Sequence, residues 1–395
     1  MEQRRAYGKS HWYHETQSRS QHSDVLPLVP EAAHVEDRFL LGLQLPESLQ
    51  HACKSWLSAG RDLAQELFPE EVAVSRLRTF SAYDRLSSAL TVAQVCGVQR
   101  LCNHYAARLA PLPGPDSSRE SNHRLAQITQ YARQLASSPS VITPLARQQL
   151  DDVGLTSYDI ILITQIVGFV GFQARVVANF QAQLGQPVRW IPGMPTQEDA
   201  SADIFSAKSS TWQSDLPAVD ERYASKTQAM ALRRWQSQPV LSQLVPFLVH
   251  EERILEGLGL LINALPAASP LHALAALVPA RINGSVCCFN HYSSQWQGAS
   301  GLPDAIRNGD RAIQAWCHQY PREQAVTQAI GLLTRAPDRF SPAQFAALTE
   351  QGVREKESTE ILTWSALFGW LNRLRIALRS ESLPEQRMKE RLPQQ

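Results

Sequence analysis

The strongest constraint on the fold of this chain is that it repeats itself. Displaced by 198 positions, the sequence matches without a gap over about fifty residues, with Arg124 on Arg322, Thr129 on Thr327, Gln130 on Gln328, Leu135 on Leu333 and Pro139 on Pro337. The same register places Pro144 on Pro342, Leu150 on Leu348, Gly154 on Gly352, Gly171 on Gly369 and Arg175 on Arg373. These positions carry local folding signals. Thr143-Pro144 and Ser341-Pro342 each set an N-capping hydroxyl before the residue best tolerated at the first helical position. Gly154 and Gly352 then end each helix in a backbone conformation that glycine adopts at no steric cost. The stretches that follow, Tyr158 to Phe180 and Glu357 to Arg379, are apolar on nearly every face at helical spacing, as core helices are. A cap, a stop and an arginine held at one offset predict two copies of one helical unit.

The match extends backwards with one slip. Asn103-His104-Tyr105 returns as Asn290-His291-Tyr292 at the shorter offset of 187, which leaves eleven extra residues in the second copy. The Gly-, Ser- and Gln-rich stretch Ser293 to Asp310 is their expected place. Runs that alternate apolar and polar residues are absent and Leu- and Ala-rich helical patterns dominate, so the predicted fold class is all-α. The expected organisation is a polar disordered arm over 1–35, a first helical domain over 36–184, a linker over 185–219, a second helical domain over 220–381 and a polar tail over 382–395. The linker is rich in Pro, Ser, Asp and Gln with Trp190 and Trp212 as anchors, a pattern that suits a segment packed in places.

Composition narrows the function classes. With 38 basic and 37 acidic residues there is no electrostatic case for binding nucleic acid or an anionic membrane. Six cysteines in 395 residues are too sparse for a secreted disulfide framework, and their spacings match no zinc pattern, so a reducing cytoplasm is the expected location. His11, His14 and His22 fall in the arm with nothing near them to complete a metal site, and no cofactor is expected. The longest apolar run, Ile160 to Phe172, is too short to span a bilayer and reads as part of a buried helix.

Chemistry concentrates in Arg281-Ile282-Asn283-Gly284-Ser285-Val286-Cys287-Cys288-Phe289-Asn290-His291-Tyr292. Asn283-Gly284 stops one helix and Ser285 is placed to cap the next, so both thiols fall in a first turn, where unpaired amides and the helix dipole favour thiolate. His291 follows at i+4 from Cys287 and i+3 from Cys288, within reach of either sulfur on a helix. Against this stands the ordinary behaviour of cysteine as a small buried hydrophobe. In the first unit the corresponding neighbourhood is Cys102, His104 and Tyr105, without the paired thiols.

Arg281-Ile282-Asn283-Gly284-Ser285 leading into Cys288, together with Leu367-Phe368-Gly369-Trp370-Leu371-Asn372-Arg373-Leu374, resembles the alkylhydroperoxidase D-like (AhpD-like) branch of the carboxymuconolactone decarboxylase superfamily. Gly168-Phe169-Val170-Gly171-Phe172-Gln173-Ala174-Arg175 carries a fainter likeness in the first unit, and the whole resembles two-domain, peroxidase-related members. The resemblance implies two tandem AhpD-like helical domains, a homo-oligomer, and a Cys-x-x-Cys-x-x-x-His motif preceded by a glutamate. Its second cysteine attacks a hydroperoxide, its first resolves the product as a disulfide, and Glu and His relay the proton. Carried onto this chain, the attacking position is Cys288, the resolving position Ser285, the histidine position Tyr292 and the glutamate position Ala273. Three of those four residues have changed. Cys287, His291 and His272 stand beside the vacated positions as replacements.

The expected function is therefore a thiol oxidoreductase acting on a small hydroperoxide or disulfide, with Cys288 as nucleophile, Cys287 as resolving thiol and His291 as base. An external thiol serves as reductant if Cys288 works alone. Two alternatives stand beside it: a catalytically inactive binding or regulatory protein, and cofactor-free decarboxylase-type chemistry with His291 or His272 as general acid or base. Arg281, Arg175 and Arg373 suit an anionic substrate, although arginines repeated in both copies more often brace helix ends or a subunit contact.

Overall fold

The computed structural model describes residues 30–188, 193, 195–206, 211–267 and 269–380. The fold is all-α, and no strand occurs among the described residues. The first half contains α1 (Glu47–Leu67), α2 (Ala82–Cys96), α3 (Gln99–Leu109), α4 (Arg119–Ser137), α5 (Pro144–Asp152) and α6 (Ser157–Gln183). The second contains α7 (Lys226–Trp235), α8 (Val245–Leu248), α9 (Glu252–Ala264), α10 (His272–Asn283) and α11 (Val286–Ser294). It continues with α12 (Leu302–Asn308), α13 (Asp310–Cys317), α14 (Pro321–Arg335), α15 (Pro342–Glu350) and α16 (Glu355–Ala377).

The element order repeats at the offsets read from the sequence. The run α4–α5–α6 recurs as α14–α15–α16, with Gly154 and Gly352 both at positive φ (+89° and +74°) after α5 and α15. The pair α2–α3, broken at Gly97, recurs as α10–α11, broken at Gly284. Capping boxes start α2 (Ser81 with Asp84), α6 (Thr156 with Asp159), α7 (Ser225 with Gln228) and α15 (Ser341 with Gln344), each satisfying amides that a helix start leaves unpaired. Thr143 departs from expectation: it holds the N-cap position of α5, but its hydroxyl makes no capping bond. The longer connection of the second half folds into α12, within the stretch Ser293 to Asp310 expected to hold the extra residues, and α13, which begins at its end.

The two units share one core. Buried apolar side chains from both halves form a single cluster, with α6 packed along α16 and α1 along α9. Gly168 lets the α16 side chain of Trp370 lie against the α6 backbone, where the Trp370 ring meets Phe169 edge-on at 5.8 Å. By length and composition α6 is long and apolar enough to cross a membrane, but its most apolar stretch is wholly buried inside the protein.

Arg175 and Arg373 explain their own repetition. Arg175 donates to the carbonyls of Gly171 (2.9 Å) and, across the units, Thr334 (2.6 Å). Arg373 donates to Gly369 (3.0 Å) and, across the units, to Leu135 (3.0 Å) and Ala136 (2.7 Å). Thr334 is the counterpart of Ala136 at the same offset, so the ties are reciprocal. Both arginines are buried and brace helix ends. Arg281 likewise donates to the backbone carbonyls of Arg307 (2.8 Å) and Ala200 (2.6 Å).

The connecting segment is a packed strap. Gln197 donates to Asn283 (2.8 Å), Asp199 pairs with Arg335, Trp212 donates to the backbone carbonyl of Arg375 (2.8 Å), and Asp215 pairs with Arg147. Trp190, the histidines of the arm and the tail beyond 380 lie outside the described residues. Part of the expected arm is structured: Pro30–Ala33 is a 3-10 helix held by His104, whose Nδ1–H donates to Ala32 (2.7 Å).

Candidate active site

Gly284 ends α10 at a φ of +85° and turns the chain directly into α11. A side chain there would be strained and would also press on Ser140, so the turn keeps two helices close. Cys287 and Cys288 become the second and third residues of α11, inside a first turn whose amides lack intrahelical acceptors. Ser285 occupies the N-cap position without capping. Its ψ of 84° is far from the 163–171° of the caps at Ser81, Thr156 and Ser225, and its hydroxyl instead lies 3.8 Å from Cys287 Sγ.

The two free thiols differ in exposure and in charge. Cys287 is half-buried in a cavity wall, whereas Cys288 is buried. The Cys288 thiol, by hydrogen-bonding to its neighbour, holds Cys287 down at about 6 against the opposing effect of burial. The Arg375 guanidinium, the Ser285 hydroxyl and the Cys288 backbone N–H add to the lowering. Cys288 is pushed well up, first by that same shared bond and then by burial. The shared bond and the exposure of Cys287 thus favour negative charge on Cys287 over Cys288. In sequence the attacking role falls on Cys288 and the resolving role on Cys287; the structure makes Cys287 the more exposed of the two.

The expected base does not reach the sulfurs. His291 is exposed and stands in the cavity wall, where its Nε2 accepts from Gln295 Nε2 at 3.2 Å. Among the described residues it makes no hydrogen bond to either thiol. Helical spacing brings the ring to the right turn, but the imidazole turns along the helix surface to its own i+4 neighbour. Tyr292 lines the cavity edge-on to Phe368 at 5.0 Å, and burial, aided by nearby Cys288, pushes its phenol up, so it stays neutral. His272 packs against Trp364 (4.7 Å) and Phe368 (5.9 Å), outside the cavity wall, and desolvation lowers it to about 4. It is a neutral packing group rather than a relay.

The first-unit counterpart is structural. His104 is buried, lowered by desolvation to about 4, and bound to Ala32; Tyr105 donates from its hydroxyl to Gln173 (2.6 Å). Cys102 is half-buried against the core. At the offset of 187 it corresponds to Phe289, while Arg100 and Leu101 stand where the second unit has Cys287 and Cys288.

The cavity measures about 540 Å³. Its walls are α11, the α16 side chains of Phe368, Leu371 and Arg375, the 239–243 loop, and Thr211-Trp212 of the strap. Arg375 was missed in the sequence. It donates to Gln243 Oε1 (2.7 Å) and to the Val240 carbonyl (3.1 Å), with its guanidinium carbon 5.8 Å from the Trp212 ring centre. Phe368, Leu371 and Arg375 follow one another at helical spacing, a signal for one face, but only tertiary structure brings that face to α11. Among the described residues, no group of three or more His, Cys, Asp or Glu stands together as a metal site. These features define an all-α protein with two adjacent free thiols at a helix start facing a small cavity. No protein-family model and no curated protein matches the chain.

Proposed function

We propose that the protein is a thiol-dependent oxidoreductase of the AhpD-like kind, acting on a small hydroperoxide or disulfide with Cys287 as the attacking thiolate. The supporting observation is the lowering of Cys287 to about 6 at the start of α11, in contact with an open cavity. With a hydroperoxide, the thiolate sulfur bonds to the terminal oxygen as the O–O bond breaks. The alkoxide takes a proton from water and leaves as the alcohol, and Cys287 becomes a sulfenic acid. An external thiol then condenses with it, releasing water, and a second thiol frees Cys287 as the reductant becomes a disulfide. Bridging Cys287 to Cys288 is the strained route, since Cα atoms of neighbours lie about 3.8 Å apart and disulfides usually need more.

A non-catalytic binding role is the second reading. It is favoured by one observation: neither His291 nor His272 is placed to relay a proton to the thiols. Decarboxylase-type chemistry is less favoured, as His272 packs outside the cavity wall and no Asp or Glu lines the cavity beside His291 among the described residues. Stopped-flow oxidation with a small alkyl hydroperoxide, with products mapped by mass spectrometry, separates the readings. Rapid, stoichiometric sulfenic acid at Cys287, lost in Cys287→Ser, supports catalysis; oxidation no faster than that of a free thiol at equal pH leaves only binding.

A further inference from the structure

We propose that the cavity is a binding site for a small organic carboxylate, with the acid group seated on Arg375 and an apolar body lying against Trp212, Phe368 and Leu371. This rests on the reading of Cys287 as a reactive thiolate and names the substrate class for it: a hydroperoxide or disulfide that carries a carboxylate.

Charge is the first argument. No Asp or Glu lines the cavity among the described residues. Several half-buried guanidiniums meet carboxylates, as in Arg335 with Asp199 and Asp310, Arg124 with Asp84, and Arg322 with Glu357, while the buried Arg175 and Arg373 direct their donors to carbonyls and stand outside this cavity's wall. Arg375 instead donates to a neutral amide oxygen and a neutral backbone carbonyl, so its direction is fixed while its charge is not cancelled. The Cys287 thiolate is its only anionic neighbour in the cavity wall, and that charge disappears whenever the sulfur is oxidised. A substrate bringing its own carboxylate keeps Arg375 compensated through the sulfenic and mixed-disulfide states.

Size and lining make the second argument. A space of about 540 Å³ exceeds what hydrogen peroxide fills and is within the range of sites for small organic ligands. Trp212, Phe368 and Leu371 offer an apolar surface beside the guanidinium, which matches a molecule with one charged end and a hydrocarbon body. The first unit has Val177 at the position of Arg375 and Leu101 at that of Cys288, so guanidinium and thiols are absent there together.

Two alkylating reagents that differ in charge test the site in the full chain. Iodoacetate and iodoacetamide both transfer their carbon to the thiolate with loss of iodide, but only the first carries a carboxylate. The expected result is that the iodoacetate-to-iodoacetamide rate ratio at Cys287 exceeds that of free cysteine by about tenfold. The excess should vanish in Arg375→Met and largely return in Arg375→Lys. Two fast reagents with the ratio of free cysteine overturn the carboxylate site and leave the thiolate reading intact. If both are slow, the thiolate reading fails, and thermal stabilisation by hexanoate against hexanamide decides the site by itself. Greater stabilisation by hexanoate, lost in Arg375→Met, supports it; equal effects of acid and amide overturn it.

Discussion

Cys287 and Cys288 are neighbours with the same chemistry, yet one is held near 6 and the other far above its ordinary value. The difference comes from surroundings. The half-buried sulfur has the Ser285 hydroxyl 3.8 Å away and the Cys288 thiol and amide beside it, whereas the buried one has less such support against desolvation. Removing the donor tests this: Cys288→Ala should raise Cys287 by at least one pH unit and slow its alkylation at pH 6.5 several-fold without abolishing it. A pH-resolved alkylation series reads the shift, and an unchanged midpoint would show that Cys288 is not the source. At this scale the sequence supplied the thiols and the helix start. It did not supply Arg375 or Trp212, because a residue 75 or more positions away in the chain gains its partner only through packing. The spacing of His291 fits a thiol partner, while its ring bonds to Gln295, a choice that spacing alone does not show.

Helices meet where side chains permit close approach. On α6, Gly168 faces the indole of Trp370, and a Cβ added there would overlap that ring. Gly168→Ala should therefore cost roughly 1–3 kcal/mol, since neither a fully buried tryptophan nor a helix backbone moves freely in a packed core. Chemical denaturation measures it, and a variant of parental stability would contradict the contact. Most elements were legible in sequence because each signal is local: Pro144 and Pro342 start helices, Gly154 and Gly352 stop them, and α6 and α16 each carry apolar residues at helical spacing. The helices α12 and α13 were not, as Ser293 to Asp310 reads only as the place of extra residues while burial of Leu302, Ile306 and Cys317 holds the helices in place.

Across the whole molecule, the recurrence of element order and the reciprocal ties of Arg175 and Arg373 support duplication of one unit. The halves are not separate bodies, because α1 with α9 and α6 with α16 bury their apolar faces across the boundary. Unfolding should accordingly be one cooperative transition, with coincident midpoints by circular dichroism and tryptophan fluorescence. Two resolved transitions would contradict a shared core. The sequence predicted two domains because repeat boundaries are visible in it, whereas which faces pair across a repeat is a tertiary fact.

The central claim is that Cys287, and not Cys288, is a thiolate at neutral pH. The most direct measurement is the pH dependence of iodoacetamide alkylation in the full chain, with the modified residue identified by peptide mass. A lowered thiol is deprotonated earlier as pH rises, so labelling of Cys287 should climb through a midpoint at about 6 and level off above neutrality. The unfolded chain should keep rising towards the ordinary value of 9.0. Preferential labelling of Cys288, or a Cys287 midpoint matching the unfolded chain, would contradict the account.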